Sequence, residues 1–209
     1  MSDLTATRSV AIAMAEERQA MQEGYVFLDE KCLLLAGAML RELRRFDAAK
    51  GTLRALQSQA AAALAAALRR HGLQGLQCYP ATPPDAIKLD FQQRLLLNVP
   101  LIDASTRREL VALAEPAYVS PEAEDCRTTF LGFTQQLAAM AAMSGNLARL
   151  YQDYRRSVRR VRALEDVLLP ELDGEINEIQ TQLDELERDE VLSARWQPTG
   201  RTWGNTDQV

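Results

Sequence analysis

Apolar residues recur in steps of three or four along two long stretches of this chain. In the first they fall at Met21, Tyr25, Leu28, Cys32, Leu35, Met39, Leu43, Phe46, Ala49, Leu53, Leu56, Ala60, Leu64 and Leu68. In the second they fall at Leu147, Leu150, Tyr154, Val158, Val161, Leu164, Leu168, Leu172, Ile176, Ile179, Leu183 and Leu186. A mean step of about 3.5 residues puts each set on one stripe of one helix. The two stripes nearly match in length, so each can cover the other. At about 1.5 Å of rise per residue the helices reach roughly 70–90 Å, which predicts a rod-like chain.

Local signals set the boundaries. The first helix is predicted to begin near Thr7 or Ser9 and to fill residues 1–71, with His71 in a polar last turn and Gly72 as a left-handed stop. Residues 72–119 read as a middle connector. Gly72 to Pro84 is broken by Gly, Gln, Pro and Thr. Ile87 to Phe91 and Leu95 to Val99 then read as the strands of a short β-hairpin, with Gln92, Gln93 and Arg94 between them. Ser105 to Ala114 reads as a short helix capped by Ser105 and stopped before Pro116. Ser120-Pro121-Glu122 supplies a cap, a proline in the first turn and an acid beside the positive dipole end. The last long helix is therefore predicted over 120–196, followed by a flexible tail over 197–209.

Two residue types interrupt the pattern. Pro170 lies inside the second stripe, where a proline removes a hydrogen bond and costs about 3 kcal/mol, so a kink is expected there. Gly24, Gly37 and Gly51 are expected where another backbone comes close or the helix bends.

Composition narrows the class. Aromatics make up only 6% of the 209 residues, which suits slender alanine- and leucine-rich helix pairs better than a thick core. A net charge of −5 argues against nonspecific nucleic-acid binding. Cys32, Cys78 and Cys126 lack metal or redox spacing, and His71 is the lone histidine. A reduced cytoplasmic compartment is expected. No run of apolar residues is long enough to span a membrane, and no secretory leader is read at the N-terminus.

The sequence carries no phosphate-binding glycine loop, zinc-site motif or nucleophile triad, so no catalytic, cofactor or metal site is expected. Arg155, Arg156, Arg159, Arg160 and Arg162 cluster over two helical turns. They read either as a solvated face or as a contact with an acidic protein surface. The acids from Glu171 to Glu190 read as a hydrated face.

The segment from Arg159 through Val161, Leu164, Glu165 and Val167 to Pro170 resembles the Arg-Arg-Val-Asn-Ala-Leu-Glu-x-Val-x-Ile-Pro signature of the D-subunit family of V-type/A-type ATPases. Thr7-Arg8, Gly24-Tyr25 with Leu28 and Lys31, and Leu97-Asn98-Val99-Pro100 resemble further segments of that family in the same order. Arg162, Asp166 and Cys32-Leu33 depart from its usual residues. The resemblance implies a mainly α fold: a long antiparallel two-helix coiled coil made by the two ends of the chain, with a middle region bearing the hairpin.

It also implies a noncatalytic central-stalk rotor component of a bacterial enzyme. Such a component couples ATP hydrolysis or synthesis to H+ or Na+ transport, on the cytoplasmic side of the membrane and peripheral to it. Its implied partners are the catalytic A and B subunits, the small F subunit of the stalk and the C/d-type cap subunit of the membrane ring. Candidate subunit contacts are the five arginines with Gly24 and Tyr25. Pro170 is the candidate shape determinant, and Ile87, Leu89, Phe91, Leu97 and Val99 are candidates for contact with the small F subunit. The alternative reading is a freestanding coiled-coil adaptor.

Overall fold

The computed structural model describes residues 7–80, 87–108, 116 and 119–196. Helix α1 (Arg8–Gln77) is followed by strands β1 (Ile87–Leu96) and β2 (Val99–Arg108), helix α2 (Pro121–Ala163), a π-helical turn (Leu164–Leu168) and helix α3 (Leu169–Trp196). The fold is mainly α, with long helices at both ends of the chain and one antiparallel hairpin between them, as the two stripes predict. Two compact units emerge, one from residues 1–29 with 159–209 and the other from residues 30–158.

Thr7 starts α1 by accepting a hydrogen bond from the Val10 N–H on its hydroxyl. Gly72 breaks the helix at the position expected for its stop, but at φ 67° and ψ 172°, an extended positive-φ conformation open essentially to glycine and not the left-handed helical one. The chain then regains a helical turn as far as Gln77, so the connector begins later than its composition indicates.

The hairpin forms, but its turn is not at Gln92–Arg94. Those residues are exposed within β1, and the chain reverses at Leu97-Asn98, so that Leu96 pairs with Val99. Both turn residues have positive φ, 49° and 69°, as a two-residue type I′ turn requires. Leucine tolerates this poorly, but the Leu97 side chain packs against the core cluster around Leu35. β2 continues through Ser105 to Arg108, where the start of a short helix was expected. Ser105 pairs with Asp90, and this ladder replaces its capping role. The rest of that expected helix and the tail lie outside the described residues.

In the C-terminal segment the kink expected at Pro170 is a π turn just before it, in which the Leu169 N–H reaches the Leu164 carbonyl. The proline ring cannot sit against the carbonyl four residues back, and the wider turn makes room for it. The turn holds one extra residue, which moves the apolar stripe. Leu168 is exposed and Leu169 takes the half-buried place predicted for it.

Within residues 1–29 and 159–209, Met14 and Ile179 are buried. Arg8 pairs with Glu187 and Arg18 with Asp173, so positions descend on α3 as they ascend on α1. Within residues 30–158, one core cluster joins Leu35, Ala38, Val99, Leu101 and Leu150, and a second joins Ala63, Ala67 and Cys126. Lys31 bridges to Asp153 at 2.8 Å and Arg70 pairs with Glu122, again antiparallel. Leu43 of the first stripe is exposed, and Glu42 occupies the buried position beside it.

The glycines do not mark close approaches within the chain. A Cβ at Gly24 or Gly51 meets nothing within 4 Å, and one at Gly37 meets only the Arg41 guanidinium at 3.5 Å. Gly51→Ala is therefore expected to stabilise the chain by up to about 1 kcal/mol, read as a higher urea midpoint. A lower midpoint would reveal an obstruction.

Candidate functional site

Two of the buried polar residues among those described, Glu42 and Asn146, meet beside the middle of β2. Asn146 on α2 is 0% exposed and carries four hydrogen bonds. Its Oδ1 accepts from the Ile102 N–H at 2.8 Å and from Arg149 Nη1 at 3.1 Å. Its Nδ2 donates to the Ile102 carbonyl at 2.9 Å and to Glu42 Oε1 at 3.3 Å. The carboxamide thus takes the place of a neighbouring strand on the free edge of β2 and locks the hairpin to α2. Asn146 lies four residues before Leu150, so a polar residue at stripe spacing was the signal available in the sequence.

The hairpin has two unlike faces. Leu96, Val99 and Leu101 turn into the core. Leu89 and Phe91 lie on the opposite face, 49% and 64% exposed, beside Ala104 and Thr106 on β2. With Ala138, Ala141 and Gly145 of α2, the exposed pair borders an apolar groove of about 290 Å³. Of the hairpin candidates, then, Leu89 and Phe91 present apolar surface, while Val99 and Leu97 serve the chain's own core. Ile87 opens β1 opposite Arg108.

All five clustered arginines are exposed, around the buried Ser157 and half-buried Val158 and Val161. The Arg155 guanidinium lies over the Tyr151 ring, 5.8 Å from its centroid. Tyr25 is half-buried, and the charge of Glu165, followed by burial and Asp29, holds its hydroxyl pKa above the ordinary value. Pro170 is exposed. Ser120 caps α2 by accepting from the Ala123 N–H at 3.3 Å, and its hydroxyl shares a 2.6 Å hydrogen bond with His71 Nε2. His71 therefore ties the break in α1 to the start of α2, within residues 30–158.

Among the described residues no group of acids, cysteines and histidine could hold a metal ion. No helix among them is long and apolar enough to cross a membrane. What the geometry offers is helix pairing and exposed surfaces. The sequence profile of the ATP synthase D subunit matches residues 11–196, a span that includes the hairpin and the π turn. This chain belongs to the ATP synthase D-subunit family.

Its relatives within the D-subunit family come from distant organisms. The A-type ATP synthase D subunit of Methanoregula boonei is 24% identical over 196 residues, covering 92% of this chain and 94% of its own. The V-type ATP synthase D subunit of Thermotoga neapolitana is 24% identical over 188 residues, covering 89% and 92%. The V-type proton ATPase D subunit of Arabidopsis thaliana is 30% identical over 90 residues, 43% of this chain and 33% of its own.

The ion pairs that join the helices of this D-subunit protein set a pH and salt response. The Arg18 hydrogen bond holds the Asp173 carboxyl below the usual carboxylate range. A depressed folded value means that the pair's contribution is complete above the unfolded carboxylate range and fades as pH falls through the folded value. Both side chains are nearly half exposed, so salt screens the pair. The thermal midpoints of the wild type and Arg18→Gln are expected to differ most at neutral pH and low salt and to converge in acid. A gap that widens in acid would contradict this.

Proposed function

We propose that this chain is a noncatalytic central-stalk component of a V/A-type ATPase, an axle that couples ATP hydrolysis or synthesis in a catalytic hexamer to rotation of a membrane ring and to H+ or Na+ transport. The observation that carries the proposal is the D-subunit match over residues 11–196. The packing supports it in physical terms. Transmitted torque needs two helices that cannot slip or twist past each other, and within each unit apolar layers and cross-helix ion pairs join them.

Exposed surfaces are assigned accordingly. Ile12 near the start of α1, and Val191, Leu192 and Trp196 at the end of α3, are large exposed apolar residues. They are the surfaces proposed to enter the cavity between catalytic A and B subunits. The arginines at 155–162, with Gly24 and Tyr25, are proposed contacts to neighbouring subunit loops. The groove bordered by Leu89 and Phe91 is the proposed seat of the small F subunit of the stalk, with the ring's cap subunit beyond. The complex would hold the chain peripherally, on the cytoplasmic side of the membrane.

The π turn and Pro170 are the proposed shape element. Pro170→Ala restores an N–H and is expected to raise helix stability by up to about 3 kcal/mol while lowering the ion transport obtained per ATP hydrolysed. Unchanged coupling in vesicles would remove the shape role.

The assignment is tested by tagging the chain, purifying it from detergent-solubilised native membranes, identifying co-purifying proteins and assaying ATP hydrolysis. Recovery of the catalytic subunits and a small stalk subunit with ATPase activity supports the axle. Recovery of the chain alone, or self-associated, favours the freestanding adaptor.

A further inference from the structure

On the inward face of the hairpin, within residues 30–158, a recess of about 160 Å³ opens beside α1. Its floor includes Ala38, Leu101 and Leu150, and its rim carries Arg41, Arg45, Arg94 and Glu42. The Glu42 side chain is only 5% exposed and sits 3.2 Å from Arg45 Nη1 and 4.0 Å from Arg94 Nη2. Asp103 accepts from Arg94 Nε at 3.2 Å and lies 3.8 Å from Arg45 Nη2. Arg41 makes no ion pair with any described residue, and its guanidinium lies back along its own helix toward Gly37.

Two guanidiniums thus meet two carboxylates, and Arg41 adds a third positive charge on the rim. The surplus positive charge sits at the mouth of a recess with an apolar floor, on a chain whose net charge is −5. Guanidinium groups bind carboxylates through paired hydrogen bonds, and a partly desolvated site strengthens them. A phosphate dianion would overcompensate the surplus of one positive charge beside the buried Glu42. A single carboxylate held at Arg41 and Arg45 matches that surplus.

We infer that this recess receives an acidic side chain from a different protein of the ATPase complex, with Arg41 as the principal anchor. The site lies on the face of the hairpin opposite the groove bordered by Leu89 and Phe91. The inference rests on the chain working inside the complex.

Arg41→Lys keeps the charge and supplies an amine. Carbodiimide treatment of the assembled complex activates carboxyl groups, and the introduced amine displaces the resulting urea to form an amide. Mass spectrometry is expected to find position 41 joined to a Glu or Asp of a different protein of the complex, a link absent from the wild type because arginine does not couple. Arg41→Glu is expected to lower retention of the chain in the complex by about tenfold or more without shifting its own thermal midpoint.

A link only to Glu42 or Asp103 of the same chain, a link to a second copy, or no link in an assembled complex overturns the inference. So does a rise in the isolated chain's thermal midpoint with millimolar inorganic phosphate that Arg41→Gln abolishes, because the recess would then be a small-anion site. Failure of the wild-type chain to enter any ATPase assembly would instead overturn the axle reading itself.

Discussion

Replacing Asn146 with aspartate is expected to destabilise the unit formed by residues 30–158 by about 2–4 kcal/mol at neutral pH. Asn146 Nδ2 donates to the Ile102 carbonyl and to Glu42, and aspartate can donate to neither. It would also set a second carboxylate against Glu42 in a place that water does not reach. The penalty should shrink in acid, where protonation removes the conflict with Glu42 and restores a donor. Asn146→Leu removes the charge conflict but leaves the Ile102 N–H and carbonyl unpaired at the strand edge, so it should also destabilise, without the acid rescue. Urea unfolding at several pH values, with hydrogen exchange at the Ile102 amide, reads both effects. Full stability of either variant would show that the hairpin does not depend on this clamp.

The second large effect separates the hairpin's two faces. Leu101 is 2% exposed and belongs to the main core cluster, so Leu101→Ala is expected to cost about 2–5 kcal/mol through lost burial and the cavity left behind. Phe91→Ser on the opposite face is expected to change stability by less than about 0.5 kcal/mol, because that side chain is already in solvent. In assembly the order should reverse for any variant that folds: Phe91→Ser should weaken capture of the small stalk subunit, whereas Leu101→Ala should keep it wherever the hairpin remains formed. The measurements are urea midpoints of the isolated variants and subunit stoichiometry of the purified complexes. Equal capture by Phe91→Ser and wild type would remove the groove from the partner interface.

Much of this architecture follows from spacing. The first stripe is buried or half-buried at every predicted position except Leu43, and the second at every position except Leu168 and Leu186. The exceptions at Leu43 and Leu168 have physical causes. Glu42 can replace an apolar residue beside Leu43 because Asn146 and two arginines satisfy its carboxylate. Leu168 yields to Leu169 because the π turn before Pro170 adds a residue to one turn, which strict periodicity cannot register.

A polar run imitates a break in the hairpin, yet Gln92, Gln93 and Arg94 are exposed within a strand and the chain turns at Leu97-Asn98. The deciding signal lay instead in the willingness of Asn98 to adopt positive φ. The Asn146 clamp and the arginine recess were hidden for another reason. Each depends on residues more than 40 positions apart, Ile102 with Asn146 and Arg41 with Arg94, and no local pattern brings these together.

The most direct test of the axle is observation of rotation. The complex is fixed to a surface through its catalytic hexamer, a bead or gold rod is attached to this chain through a cysteine introduced at the exposed Asp47 of α1, in a variant whose exposed Cys78 is replaced by serine, and ATP is added. The account predicts unidirectional, ATP-dependent rotation of the probe that stops when nucleotide is removed. A probe that stays fixed relative to the hexamer while ATP is hydrolysed would contradict it.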